Sequence, residues 1–182
     1  SKYGLDALAF HNEWSMEAKI TWETCDARRW LNGIFLRSAF NLEEQKAILT
    51  TEVDNSKSKI HSRWELGSNN TEDQIFLLSF DEANRYFDVS EWESDDNNVK
   101  SRVAPTAYAI ARGVEISDQY RTEEDLPDAK WGLRSNSYNL SDSGFVNELG
   151  SAQSGGFELV AARPALWVNV ETIEELSTAL NS

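Results

Sequence analysis

The stretch Trp131-Gly132-Leu133-Arg134 begins the last third of this 182-residue chain, and the whole of that third has a β-like pattern. Short apolar runs follow at 145–147, 157–160 and 165–170, and glycines at 150, 155 and 156 lie between them. Compact apolar runs separated by glycine turns are typical of strands. We therefore predict four short strands from Trp131 onward.

The region before Trp131 combines helical and strand patterns. A helix is predicted after Thr24 or Asp26, because apolar residues recur there at helical spacing, and Asn32-Gly33 can stop or kink it. Asn41 with Glu44 resembles a capping box and predicts a helix at 42–46. Further helices are predicted at 82–87, capped by Asp81, and from Pro105. Strands are predicted at 19–22, 48–53 and 74–79.

This order of elements predicts the fold class. Helices and strands do not alternate regularly, as a doubly wound parallel sheet requires, so we expect an α+β fold with mixed, mostly antiparallel sheets, two main helices and long irregular loops. The length suits one domain. We assign residues 1–170 to that domain and residues 171–182 to a short helical tail that Thr172 caps.

Charge and composition exclude several classes of partner. The chain has 31 acidic and 17 basic residues, a net charge of -14, and it carries seven Trp, five Tyr and eight Phe. The aromatic content argues against disorder. The acidity argues against nucleic acid and anionic membrane surfaces, which need clustered Lys and Arg. The chain has no run of about 18 apolar residues, so no membrane-spanning helix is predicted.

Familiar catalytic and metal patterns are weak. The chain has two histidines, His11 and His61, and one cysteine, Cys25, which we expect to be a small buried residue rather than a nucleophile. Glycine-rich phosphate loops are missing, and the acidic run 93–98 lacks the Gly and final Glu of an EF-hand loop. We expect no cofactor and no metal. A hydrolase that uses two carboxylates remains an alternative, because Asp and Glu residues are abundant in the chain.

Five ordered blocks of sequence together resemble one bacterial family. They are 20–53, from Ile20-Thr21-Trp22-Glu23 to Val53; 75–87, which includes Ile75-Phe76-Leu77-Leu78-Ser79; 105–113; 131–135; and 163–169, Arg163-Pro164-Ala165-Leu166-Trp167-Val168-Asn169. In this combination the chain resembles DUF6273, a family of unknown function. It departs from the family pattern at Gly132, where an aromatic residue is usual, and at Asn136, where a proline is usual.

The resemblance implies a C-type lectin-like fold, related in architecture to formylglycine-generating-enzyme-like domains and to the variable proteins of diversity-generating retroelements. It implies that Trp131, Arg134, Arg163 and Trp167 are scaffold of the C-terminal sheet, where an Arg beside a Trp can stack on it and also bind backbone carbonyl groups. The copper chemistry of formylglycine-generating enzymes is not expected, since a lone Cys25 cannot supply a cysteine pair.

In such folds, ligands bind at loops that cap the C-terminal sheet. We therefore expect a non-enzymatic recognition module of a bacterial or phage protein, displayed at the cell surface or outside the cell, that binds a protein or carbohydrate. The alternatives are a structural domain of a larger surface protein and the hydrolase. The predicted ligand-binding residues come from polar loops and their flanks: Asn136, Tyr138, Asn139, Asp142, Phe145, Asn147 and Phe157.

Overall fold

A computed structural model of the chain describes residues 7–8, 19–64, 66–91, 100–116, 128–137, 142–155 and 160–172. The helices are α1 (Asp26–Trp30), α2 (Leu36–Ala39), α3 (Leu42–Ala47), α4 (Phe80–Phe87) and α5 (Ala107–Ala111), with a π-helical turn, Leu31–Phe35, joining α1 to α2. The strands are β1 (Ala7–Leu8), β2 (Thr51–Val53), β3 (Thr71–Asp73), β4 (Ser90–Glu91), β5 (Trp131–Asn136), β6 (Ser143–Val146), β7 (Ser151–Gly155) and β8 (Val160–Ala161). The predicted α+β class is confirmed.

The larger sheet is mixed, and β5 lies inside it. Its strand order is β1-β8-β5-β6-β7-β4, whereas β2 and β3 form a separate antiparallel pair. Strands β1 and β8, β5 and β6, and β6 and β7 pair antiparallel, whereas β5 with β8 and β4 with β7 pair parallel. All of β5 except Ser135 is buried, which is typical of an internal strand covered on both faces.

The first helical region is irregular at Asn32-Gly33, where the sequence predicts a stop or a kink. Both residues lie in the π-helical turn between α1 and α2. The Asn32 side-chain amide donates to Arg28 O (3.2 Å) and Ile75 O (2.8 Å), and its oxygen accepts from the backbone N–H groups of Gln74 and Ile75. One side chain thus fastens the turn to the segment that leads toward α4.

Two helices begin with a complete capping box. In α3, Asn41 accepts from the N–H groups of Glu43 and Glu44, and Glu44 accepts in return from Asn41 N, as predicted. In α4, Ser79 and Glu82 form the box. The prediction that Asp81 caps α4 is therefore wrong. Asp81 is the second residue of the helix and instead accepts hydrogen bonds from Ser58 Oγ and Lys59 N.

Several helix and strand boundaries differ from the predicted ones. Either a side chain caps a different position, or two segments pair at single residues rather than along a strand. The helix predicted from Pro105 begins at Ala107, since Thr106 is its N-cap and accepts from Ala109 N. The strand predicted at 19–22 is wrong, because residues 22–24 form a turn. The segment 165–169 pairs through two separate bridges, Phe76 with Ala165 and Ile48 with Val168, and residues 170–172 are helical. Residues 157–159 and the tail beyond residue 172 lie outside the described residues, so the domain boundary at 170 stays a prediction.

A buried carboxylate anchors the first helix to β3. Asp73 is 2 % exposed, and it accepts from Trp22 Nε1 (2.9 Å), Thr71 Oγ1 (2.7 Å) and Arg28 Nε (2.7 Å). Three donors offset the cost of burying this charge. Residues 20–22 are all buried, and Trp22 contacts this anchor, so the polar and apolar alternation of residues 19–22 does not mark a half-buried strand.

Arg134 of β5 ties three segments of the chain together. Its guanidinium is buried and pairs with both carboxylate oxygens of Glu82 in α4. It also donates to Leu77 O (2.7 Å), Asp54 O (3.0 Å) and Asn55 Oδ1 (3.2 Å). The buried cation thus has a hydrogen-bonding partner on every nitrogen, as burial of a charge requires.

We expect Arg134→Met to lower the free energy of unfolding by about 3–5 kcal/mol, because it leaves the Glu82 carboxylate and two carbonyl groups without their partner. The measurement is urea unfolding followed by circular dichroism. The control is Lys46→Met, which removes the exposed pair of Lys46 with Glu43 and should change stability by less than about 1 kcal/mol. Equal losses in the two variants would contradict this role for Arg134.

Gly144 of β6 lies where a side chain cannot fit. A Cβ there would approach Trp64 Cζ3 to 2.7 Å and the backbone oxygen of Ser135 to 2.9 Å. Trp64 is itself buried and stacked on Phe80. We therefore expect Gly144→Ala to destabilise the fold by about 1–3 kcal/mol. Gly33→Ala is the control, since its Cβ would meet nothing closer than Arg37 Nη2 at 3.8 Å. Thermal melting compares the two, and a melting temperature for Gly144→Ala at or above the wild-type value would count against the prediction.

Candidate functional site

Three of the residues predicted to bind a ligand lie inside the fold. Asn136 is buried, and its amide donates to Ile20 O (2.6 Å) and Asp142 O (3.4 Å). Asn147 is buried, and its oxygen accepts from Leu149 N and Ser151 N. Phe145 is buried with the Lys130 ammonium over its ring. Each of these side chains therefore has a structural contact that holds the ends of β5 and β6.

Of the other predicted residues, the structure describes Asp142 alone. Asp142 is half-buried just before β6, and its carbonyl accepts from Ser137 N (3.3 Å). Tyr138, Asn139 and Phe157 lie outside the described residues, as does the acidic run 93–98. Their roles in binding stay predictions, and the described residues offer a different concave site.

That site is a groove of about 250 Å³ between α4 and the segment 163–167, which we call the aromatic groove. One wall comes from α4 and the strand-like segment before it, through Phe76, Leu78, Glu82, Tyr86 and Phe87. The other wall is the segment from Arg163 to Trp167. The bridge of Phe76 with Ala165, with N–O distances of 3.0 and 2.7 Å, holds the two walls together.

Two large aromatic side chains of the groove are exposed. Tyr86 is 51 % exposed and Trp167 is 55 % exposed, and each comes from a different wall. Exposed aromatic residues beside a concavity provide contact area at low cost in conformational entropy. The scaffold role implied by the resemblance suits buried Trp131, but Trp167 presents its ring to solvent.

Arg163 is the cation of the groove. Its Cζ lies 3.9 Å from the centroid of the Phe87 ring and 4.8 Å from that of Trp131. The Nη1 atom is buried and has no hydrogen-bond partner among the described residues. Burial lowers the pKa of this guanidinium from its ordinary value. The predicted stacking of Arg163 beside Trp131 is thus present, but its donors are left unused by the described part of the chain.

Glu82 is the carboxylate that lines the groove. Its oxygens accept from Arg134 and from Ser79 N (2.9 Å). The Glu82 charge is thereby neutralised within the fold, and the charge of the groove lining is that of Arg163.

Sequence reasoning missed Tyr86, Trp167 and Arg163 as functional candidates. All three lie in blocks that resemble the family, and this resemblance favoured a scaffold role. The sequence nonetheless contained one signal of a binding residue. Basic residues are outnumbered by acidic ones in this chain, and Arg163 lies close to Trp167. The sequence does not show that these residues lie around one groove, because the tertiary structure brings them together.

Cys25 lies at the N-cap of α1 and is fully buried, as expected. Its Sγ accepts from Arg28 N and donates to Trp22 O, both at 3.4 Å. Burial raises the pKa of this thiol to about 12. The described ranges contain no group of three His, Cys, Asp or Glu side chains that could hold a metal ion. Nor do they contain a helix with the length and apolar character needed to cross a membrane.

The fold and groove define a small α+β domain with an aromatic, cation-lined concavity. The chain matches the family model described as Domain of unknown function (DUF6273) over residues 4–170. The match covers most of the chain, which therefore belongs to the DUF6273 family, and the family resemblance seen in the sequence is confirmed. The chain matches neither a curated protein nor a solved structure.

We expect the Cys25 thiol to be inert in the folded protein, because the thiolate is the reactive form and a pKa of about 12 suppresses it. A disulfide-exchange reagent at about pH 8 should label one thiol per chain in guanidinium and almost none in native buffer. The raised pKa also favours the folded state below the ordinary value of 9.0, and that contribution is lost as pH rises toward 12. Fast labelling of the native protein would contradict this prediction.

Proposed function

We propose that this chain is a non-enzymatic recognition module and that it binds its ligand in the aromatic groove. The observation that carries the proposal is the combination of exposed Tyr86 and Trp167 with Arg163, a cation without an ion pair among the described residues, in the lining of one concavity. Ligand sites are concave and mostly apolar, with a small number of polar groups that fix orientation.

The chemistry of the groove supports binding rather than hydrolysis. A hydrolase of the kind left open by the sequence needs two carboxylates free to exchange protons with a substrate. Glu82 is the carboxylate of the groove lining, and its oxygens are already used by Arg134 and by the cap of α4. Arg163 remains charged over the working pH range, so it is suited to bind an anion rather than to transfer a proton.

The proposal includes a C-type lectin-like architecture and display at the surface of a bacterium or phage. The mixed, mostly antiparallel sheet with irregular connections is compatible with that architecture. Diversification of the loop 135–143 by a retroelement is a separate part of the proposal. It requires a reverse transcriptase gene and a template repeat that matches the codons of 131–160 near the gene.

The binding proposal is tested on arrays of glycans, peptides and small acids probed with the labelled chain. We expect Trp167→Ala and Tyr86→Ala each to weaken binding at least about tenfold, since each removes a large aromatic contact. Tyr108→Ala is the matched control, because Tyr108 of α5 is 59 % exposed and does not line the groove. It should bind as the wild type does.

Circular dichroism confirms that each variant is folded before its binding is compared. Binding that survives both groove substitutions would overturn the groove as the site. A chain that binds nothing on the arrays would overturn the recognition module and favour a structural domain of a larger surface protein.

A further inference from the structure

The ligand class of the aromatic groove follows from an imbalance of charge. The chain has 31 acidic residues against 17 basic ones, so possible carboxylate partners for an arginine are abundant. Arg28 pairs with Asp73, Arg102 with Asp128 and Arg134 with Glu82. Arg163 forms no ion pair within the described residues.

Arg163 is also held in place without using its hydrogen-bond donors. The rings of Phe87 and Trp131 lie within 5 Å of its Cζ, at 3.9 and 4.8 Å, and with each other they make an edge contact with a centroid distance of 6.2 Å. Contacts with aromatic faces restrain a guanidinium without using its in-plane N–H groups as donors. A preorganised planar donor of this kind matches a carboxylate, which accepts two parallel hydrogen bonds.

Burial adds a reason for an anion to bind. Partial desolvation disfavours the charged guanidinium, as the direction of the Arg163 pKa shows. An anionic partner with matching geometry offsets that cost. Glu82 cannot serve as this partner, because its carboxylate is engaged by Arg134.

The size and lining of the groove describe the rest of the ligand. A volume of about 250 Å³ lies just below the range of sites for drug-sized ligands. The lining beyond Arg163 and Glu82 is mostly aromatic and aliphatic, including exposed Tyr86 and Trp167. One guanidinium supplies one positive charge, which balances a monovalent carboxylate better than a phosphate monoester of charge about -2.

We propose that the aromatic groove binds a small apolar monocarboxylate, which pairs with Arg163 through its carboxylate and contacts Tyr86 and Trp167 through its apolar body. This inference rests on the proposed recognition function and specifies its ligand.

The test uses four probes and isothermal titration calorimetry on the full chain. The probes are 3-phenylpropionate, its uncharged amide, phenyl phosphate, and a short peptide that ends in a phenylalanine with a free carboxylate. We expect the wild type to bind 3-phenylpropionate at least about tenfold more tightly than the amide, because the acid forms charge-assisted hydrogen bonds. It should also prefer this acid to phenyl phosphate and to the peptide.

Arg163→Met should abolish the preference for the acid over the amide, since it keeps an apolar side chain against Phe87 and Trp131 but removes the donors. Arg163→Lys keeps the charge without the planar fork and should retain only part of the preference. Arg112→Met is the control, because Arg112 lies over Tyr108 and outside the groove lining. Its preference should equal that of the wild type. Thermal melts check folding, and Arg163→Lys serves as the test if Arg163→Met is unfolded.

The remaining outcomes separate the ligand class from the function. Equal binding of acid and amide, lost in Trp167→Ala, would overturn the carboxylate and leave the groove as the site. Tighter binding of phenyl phosphate or of the peptide would likewise overturn a small monocarboxylate. If none of the probes binds, the ligand class is overturned, and the array results with Trp167→Ala decide separately whether the groove is a binding site.

Discussion

The fold depends on one buried ion pair, that between Arg134 of β5 and Glu82 of α4. Arg134 also donates to carbonyl groups of Leu77 and Asp54, so a single guanidinium fixes the internal strand of the sheet against the helix and against the long loop after β2. A buried charge is tolerated only when its donors are satisfied, which restricts all of these segments to one arrangement. Glu82 is at the same time the closing residue of the capping box of α4. The start of the helix and its attachment to the sheet therefore depend on the same carboxylate.

The groove is a consequence of that arrangement. Because α4 is fixed at its first turn, Tyr86 and Phe87 at its other end face the segment that follows β8. Phe76 and Ala165 join the two sides by a pair of backbone hydrogen bonds. Other arginines that are at least partly buried have carboxylate partners, as Arg28 has in Asp73 and Arg102 has in Asp128. Aromatic rings, rather than a carboxylate, hold the Arg163 guanidinium in place. Arg163 therefore differs from the arginines that stabilise the fold through ion pairs, because its charge can still pair with a ligand.

Local interactions are the part of the fold that could be predicted from the sequence. The capping box depends on Asn41 and Glu44, three positions apart, and it is present. The irregularity predicted at the neighbouring residues Asn32 and Gly33 is present as a π-helical turn. Both Ser79 and Asp81 are residue types that cap helices. Ser79 is the cap of α4 because its side chain reaches a free N–H group of the first turn, and the spacing of residues in the sequence does not predict this. The alternation of residues 19–22 predicted a strand, whereas Trp22 in fact donates to Asp73, which lies far away in sequence. The groove was missed for the same reason, since Tyr86 and Trp167 are about 80 positions apart. Composition instead favoured polar loops, of which Asn136 and Asn147 are buried in the fold.

The sheet also has a consequence for the order of folding. Strand β1 pairs with β8, with Ala7 opposite Ala161, and β5 pairs on both sides with strands that follow it in the chain. During synthesis, β1 therefore cannot pair with β8 until more than 150 further residues have been made. Contacts of such sequence separation slow folding, because the entropy of closing a long loop is lost before the contacts form. We expect the helices and the β2–β3 pair to form early and the sheet to close last, so that a nascent chain exposes its apolar strands for longer than a domain with local pairing does.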